Sequence, residues 1–184
     1  MIIGSLLRYG GTEKHFLQLI DGLNKDFNFA VFHLNPERGK AFELLSKRTE
    51  VFNLNFIGTF SGVINSIYSA FTLLRKEKPS LIYSSTLIGL ILILPFSIIY
   101  RVPIISARRS LYSKFFTWSI WIKKIIFWIN NISSKKIIGN SEAVGSLTLN
   151  DAFSKNKYIT INNGLDLGSF SKINKKRVDI FRQE

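Results

Sequence analysis

Cysteine is missing from all 184 residues, which excludes disulfides and thiolate metal sites. Histidine is nearly missing: His15 and His33 are too few for a histidine-rich metal centre, and no cofactor is expected. Two familiar phosphate-binding motifs are absent as well. Six residues separate Gly4 from Gly11, so the spacing is not GxGxxG, and no Gly-Lys-Ser/Thr follows to make a Walker A loop. Carboxylates vanish between Lys78 and Ser141, an interval that holds Lys78, Arg101, Arg108, Arg109, Lys114, Lys123, Lys124, Lys135 and Lys136. No apolar run reaches the ~20 residues that span a bilayer. The nearest, Leu87 to Tyr100 (LIGLILILPFSIIY), is shorter and contains Pro95 and Ser97, so a buried crossover helix is expected there. Arg8 and the early glycines fall where a secretory leader would need an unbroken apolar core.

What is present suits one substantial core. Hydrophobic residues make up 46% of the chain and charged residues 20%, which argues against disorder. Twenty-five Lys and Arg against twelve Asp and Glu leave a net charge of +13, so the partner is expected to be anionic: nucleic acid, nucleotide phosphates or an acidic membrane surface.

The chain is organised around GSLLRYGGTEKH, Gly4 to His15, which follows the apolar Met1-Ile2-Ile3 and enters the helical FLQLIDGL. A strand broken at a glycine, then paired glycines opening a helix, is a βα turn able to set a phosphate against helix N-terminal amides. It reads equally as a plain tight turn. Beyond it, strand and helix alternate: a helix over Thr12 to Asn24, a strand over Phe27 to Leu34, a helix over Gly39 to Lys47, and a short edge strand over Glu50 to Phe56. A helix over Val63 to Lys76 leads to strands Ser80 to Ser84 and Val102 to Ala107 on either side of Leu87 to Tyr100. Strands Lys135 to Asn140 and Lys157 to Asn162 close the series, with Ser141-Glu142 at a helix start. The expected class is α/β: a Rossmann-like parallel sheet with helices on both faces. Ligands of such sheets sit at the carboxyl ends of strands, which singles out Gly10, Gly11, Ser84, Ser85, Arg108, Arg109, Asn140, Ser141, Asn163 and Gly164.

Phe115 to Asn130 (FFTWSIWIKKIIFWIN) is apolar almost all round. At about 100° per residue, Trp118, Trp121, Ile122, Ile125, Ile126, Trp128 and Ile129 share a broad side that would dock on the sheet. The opposite arc interleaves Phe116, Ile120 and Phe127 with Lys123 and Lys124, the pattern of an interfacial membrane helix. A helix buried on both sides with snorkelling lysines is the alternative.

GGTEKH, KPSLIYSS, VPIISARRS, KKIIGNSEAV and YITINNGLDLGSF, taken in order, resemble the successive motifs of the amino-terminal halves of family-four retaining glycosyltransferases with the GT-B fold. The resemblance covers essentially the whole chain. It implies a hexosyltransferase-type enzyme with its site in the cleft between two domains, of which residues 1–170 would be the acceptor-side domain and 171–184 the start of the crossing into an absent second domain. Arg109 falls where relatives often carry a cleft histidine, and is the catalytic candidate. Gly10, Gly11, Thr12, Ser85, Arg108, Asn140, Ser141, Asn163 and Gly164 would bind donor or acceptor. His15 and Glu13 are expected to cap or pack, with a role as acid or base as the alternative. The implied partners are a nucleotide-sugar donor, a lipid-linked or cell-envelope glycan acceptor, an anionic membrane surface and the missing carboxy-terminal domain. The implied location is cytoplasmic, peripheral on the inner membrane face, and the lone half is expected to be inactive.

Two other classes fit the charge. One is a standalone binding module that pairs with a separate donor-binding chain. The other is a nucleic-acid-binding protein, against which the aromatic residues count, because they sit in apolar helical runs and not among basic residues on an open strand face.

Overall fold

A computed structural model describes residues 1–7, 9–109, 120–144 and 156–164. Strands β1 (Ile2–Gly4), β2 (Ala30–His33), β3 (Glu50–Asn53), β4 (Ile82–Ser84), β5 (Ile104–Arg108), β6 (Lys136–Gly139) and β7 (Tyr158–Thr160) alternate with helices α1 (Gly11–Leu23), α2 (Lys40–Ser46), α3 (Phe60–Glu77), α4 (Leu87–Tyr100) and α5 (Ile120–Ser133). The strands form one sheet in the order β3-β2-β1-β4-β5-β6-β7. Every pairing is parallel. The order reverses between β1 and β4, so the chain winds outward in both directions from a central switch point.

Each face of the sheet has its own core. Ile2, Val31 and Tyr83 project toward α1 and α2, where they meet Phe16, Leu17, Ile20, Phe42 and Leu45. Their neighbours along the strands, Ile3, Phe32, Ile82 and Ile104, project the other way toward Ala70 and Leu74 of α3 and Leu90 and Ile93 of α4. This alternation is the period of two that a pleated strand imposes. Helix α4 packs against both α3 and α5, so these three make the second layer.

Local chemistry sets the helix ends. Thr59 Oγ1 accepts from Gly62 N at 3.2 Å to start α3, and Thr86 Oγ1 accepts from Gly89 N at 3.1 Å to start α4. Both helices end on left-handed residues, Lys78 (φ 41°) and Arg101 (φ 55°), whose cationic side chains suit the negative end of the helix dipole. Strands are shorter than the apolar runs that contain them. Phe27 is exposed because β2 can pair only where three-residue β1 and four-residue β3 offer partners.

Helix α4 occupies the Leu87 to Tyr100 run as a crossover. Among the described residues, no helix is long and apolar enough to cross a membrane. Helix α5 is oriented contrary to expectation. Trp121, Ile125 and Trp128, expected on the sheet side, are 69%, 56% and 53% exposed. Among the described residues the inward side carries polar groups: Asn130 and Asn131, with Ser134 just beyond the helix, are buried, and Ser134 Oγ donates to Ser106 Oγ at 3.0 Å. Phe127, expected to face a membrane, instead lies with its ring 4.6 Å from the Arg108 guanidinium. A buried cation and its hydrogen-bonding partners outweighed aromatic burial in choosing which side of the helix turned inward. Lys124 is exposed and lies over the Trp121 ring, although the two were expected on opposite sides of the helix. Phe116 lies outside the described residues, as do the side chains of Ile120 and Lys123.

Candidate functional site at the carboxyl edge

The carboxyl ends of β1, β4, β5, β6 and β7 share one edge of the sheet. At the switch point, α1 sits very close to the strands because Gly4 has no side chain: a Cβ there would lie 2.7 Å from Phe16 Cε2 and 3.0 Å from Ser85 Oγ. Gly10 caps α1, and its amide donates to Glu13 Oε2 at 2.9 Å, so that amide is already spent within the turn. Gly11 and Thr12 open the helix, where first-turn amides have no intrahelical acceptor.

One helical turn on from Gly11, His15 reaches Tyr83 of β4, with Nε2 and the phenol oxygen 3.1 Å apart. Arg109, immediately beyond β5, stands close enough to the Tyr83 hydroxyl to favour its ionised form. Its Nη1 donates to Asn163 Oδ1, beyond β7, at 3.0 Å. Asn140, just after β6, donates from Nδ2 to the Arg109 carbonyl at 3.2 Å. Residues 15, 83, 109, 140 and 163 are thereby drawn together from five separate segments. The Tyr83 hydroxyl can donate its proton to His15. That direction requires a neutral His15 with Nε2 bare. The electrostatics agree: burial first, then the Arg109 charge, lower the His15 pKa to about 4. Burial raises the Tyr83 pKa, partly offset by the nearby Arg109 charge.

Arg109 Nε and Asn140 Oδ1 are buried without a hydrogen-bond partner among the described residues. Buried polar atoms are rarely left unspent, and an unspent donor and acceptor on neighbouring side chains mark a place that a polar ligand could complete.

The other expected residues divide. Ser85 is at the edge, but its hydroxyl donates to the Ile3 carbonyl at 3.3 Å and serves the switch point. Ser141 Oγ accepts from Val144 N at 3.4 Å as a cap, and its carbonyl accepts from Tyr158 Oη at 3.0 Å. Gly164 is exposed, with open space where a Cβ would be. Arg108 does not join Arg109. Adjacent strand residues point to opposite faces, so Arg108 is only 2% exposed beneath α5, where it donates to Asn131 Oδ1. His33 spends both ring nitrogens on loops, accepting from Leu6 N at 3.0 Å and donating to the Glu37 carbonyl at 2.6 Å. His15 was expected to cap or pack, with an acid or base role as the alternative, and Tyr83 was not singled out. Their signals were the four-residue step from Gly11 and an aromatic next to a strand's carboxyl end. Among the described residues, no three His, Cys, Asp or Glu side chains gather as a metal site.

The doubly wound parallel sheet is the fold of one half of a GT-B enzyme, and solved structures share it. The chain matches Anabaena HepE in complex with UDP and glucose at 20% identity and a TM-score of 0.71, covering 99% of this chain and 48% of that one. It matches a glycosyltransferase from Rickettsia africae at 12% identity and a TM-score of 0.70, covering 99% and 48%. A UDP-GlcNAc 2-epimerase from Methanocaldococcus jannaschii shares the fold at 17% identity and a TM-score of 0.63, covering 89% and 46%. The chain spans about half the length of these structures. No curated protein sequence matches it. The model of Glycosyltransferase Family 4 matches residues 9–169, and the chain belongs to that family.

Proposed function

We propose that this chain is the acceptor-side domain of a glycosyltransferase that moves a sugar from a nucleotide-sugar donor to a lipid-linked or cell-envelope glycan, working with a donor-binding domain and inactive without one. Family membership and the UDP and glucose bound by HepE support the reaction class. The observation that carries the site is the Arg109 cluster. Leaving-group departure places charge on a diphosphate, and preorganised donors aimed at developing charge are the strongest catalytic device available. Arg109, held by Asn163 with Nε unspent, is such a donor, and the amides of Gly11 and Thr12 add to it. Asn140 Oδ1 would accept from a sugar or acceptor hydroxyl.

The enzyme would lie peripherally on an anionic membrane at the cytoplasmic side. The apolar-out orientation of α5, with Lys124 exposed over Trp121, supports that contact. In an enzyme that joins this chain to its donor-binding domain, Arg109→Ala should cut kcat by about 10²- to 10³-fold, as loss of one charge-stabilising donor does. Unchanged kinetics would remove Arg109 from the site.

A further inference from the structure

The edge of the sheet opposite the Arg109 cluster carries a second candidate site. The carboxy-terminal ends of α3 and α4 and the chain entering β5 enclose a groove of about 470 Å³, within the ~300–1,000 Å³ typical of small-molecule sites. Leu74, Pro79, Phe96, Tyr100 and Val102 make its apolar walls, and Arg75 and Lys78 stand at its border. Both cations are exposed, and neither takes part in an ion pair among the described residues. Beside it, Ile98 and Ile99 on the last turn of α4 are 67% and 65% exposed. Arg101 follows as the left-handed cap.

The charge of the surroundings selects the occupant. The layer of α1 and α2 and its loops carries Glu13, Asp21, Asp26, Glu37 and Glu43, whereas α3, α4 and α5 together carry Glu77 alone. That one carboxylate already lies 3.6 Å from Lys76. The same layer exposes Tyr68 on α3, Ile98 on α4 and Trp121, Ile125 and Trp128 on α5. Apolar walls with a cationic border, whose one neighbouring carboxylate, Glu77, already faces Lys76, fit an amphiphile with an anionic head.

We infer that this groove seats an anionic lipid of the bilayer, with its phosphate against Arg75 and Lys78 and its acyl chain between Phe96, Tyr100 and Val102. The inference rests on the membrane contact proposed above. It places the lipid outside the reaction site, because α4 separates the two edges by its 14 residues, roughly 21 Å at 1.5 Å per residue. The bound lipid is therefore an anchor and not the acceptor.

The test is flotation of the wild-type chain with phosphatidylcholine vesicles with and without 30% phosphatidylglycerol (~30%, enough to give an anionic surface). It is compared with Arg75→Glu/Lys78→Glu and with Lys25→Glu/Lys47→Glu, a control pair of exposed residues on the opposite layer. Each pair lowers the net charge from +13 to +9, since each substitution removes two charges. The groove pair should lose at least ~30-fold in partitioning to anionic vesicles, and the control pair much less. Equal losses in the two pairs would overturn the groove while leaving a general attraction to the membrane. Failure of the wild type to float with either vesicle would overturn the membrane contact itself. In chemical-shift mapping with short-chain phosphatidylglycerol below its micelle concentration, the groove requires shifts at Lys78, Tyr100 and Val102, and shifts confined to the Arg109 edge would refute it.

Discussion

Acidification should weaken the folded chain through His15. Its pKa is about 4 in the folded state against 6.5 for an unperturbed histidine. Below pH 6.5 the unfolded chain takes up a proton that the folded chain refuses until about pH 4. The stability is therefore present above pH 6.5 and is lost as the pH falls through that window. At about 1.4 kcal/mol per pK unit, full loss would approach ~3.4 kcal/mol, and the part lost between pH 7 and pH 5 about 2 kcal/mol. His15 is only partly buried, so solvent screening reduces the latter to roughly 1 kcal/mol. Burial also lowers the His33 pKa, so the wild type alone does not isolate the effect. The measurement is urea unfolding of the wild type and His15→Gln at pH 7, 6 and 5, where the stability difference between them should shrink by that roughly 1 kcal/mol. In parallel, the His15 ring resonance should stay neutral until near pH 4, and Arg109→Ala should move its midpoint upward. Superimposable pH profiles for the two proteins, with a His15 midpoint near 6.5, would refute the buried Arg109–Tyr83–His15 arrangement.

Three further outcomes follow from the packing. Gly4→Ala forces Phe16 or Ser85 to move, and thermal melts should show a loss of about 1–3 kcal/mol, the usual cost of overpacking. Asn131→Ala removes a hydrogen-bonding partner from the buried Arg108 guanidinium and should cost about 1–3 kcal/mol by urea unfolding. Thr86→Ala strips the α4 cap and should cost about 1 kcal/mol in the same assay.

Much of the fold was legible because local chemistry marks it. The α4 limits stood in the sequence, where Thr86 supplies the cap and the apolar run ends at Tyr100, one residue before Arg101. The alternation of helix and strand was equally plain, and so were Arg109, Asn140 and Asn163 as strand-end residues. The orientation of α5 was not legible. A helix that is apolar almost all round gives periodicity nothing to choose between, and what chose was the buried polar set of Arg108, Asn131, Ser134 and Ser106. For the same reason the twin arginines read as one feature, although pleating sends them to opposite faces of the sheet.

By itself, the sequence determined a cysteine-free, strongly basic α/β domain, because composition, turn chemistry and periodicity act within a few residues of one another, and its successive motifs resemble those of a sugar-transfer family. Only the tertiary structure decided that β1 and β4 are neighbours, that His15 and Tyr83 meet Arg109, that Arg108 is buried, and that the tryptophans of α5 face outward. Those outcomes depend on pairings between residues up to about 150 positions apart, such as His15 and Asn163 around one guanidinium, and no local pattern records them.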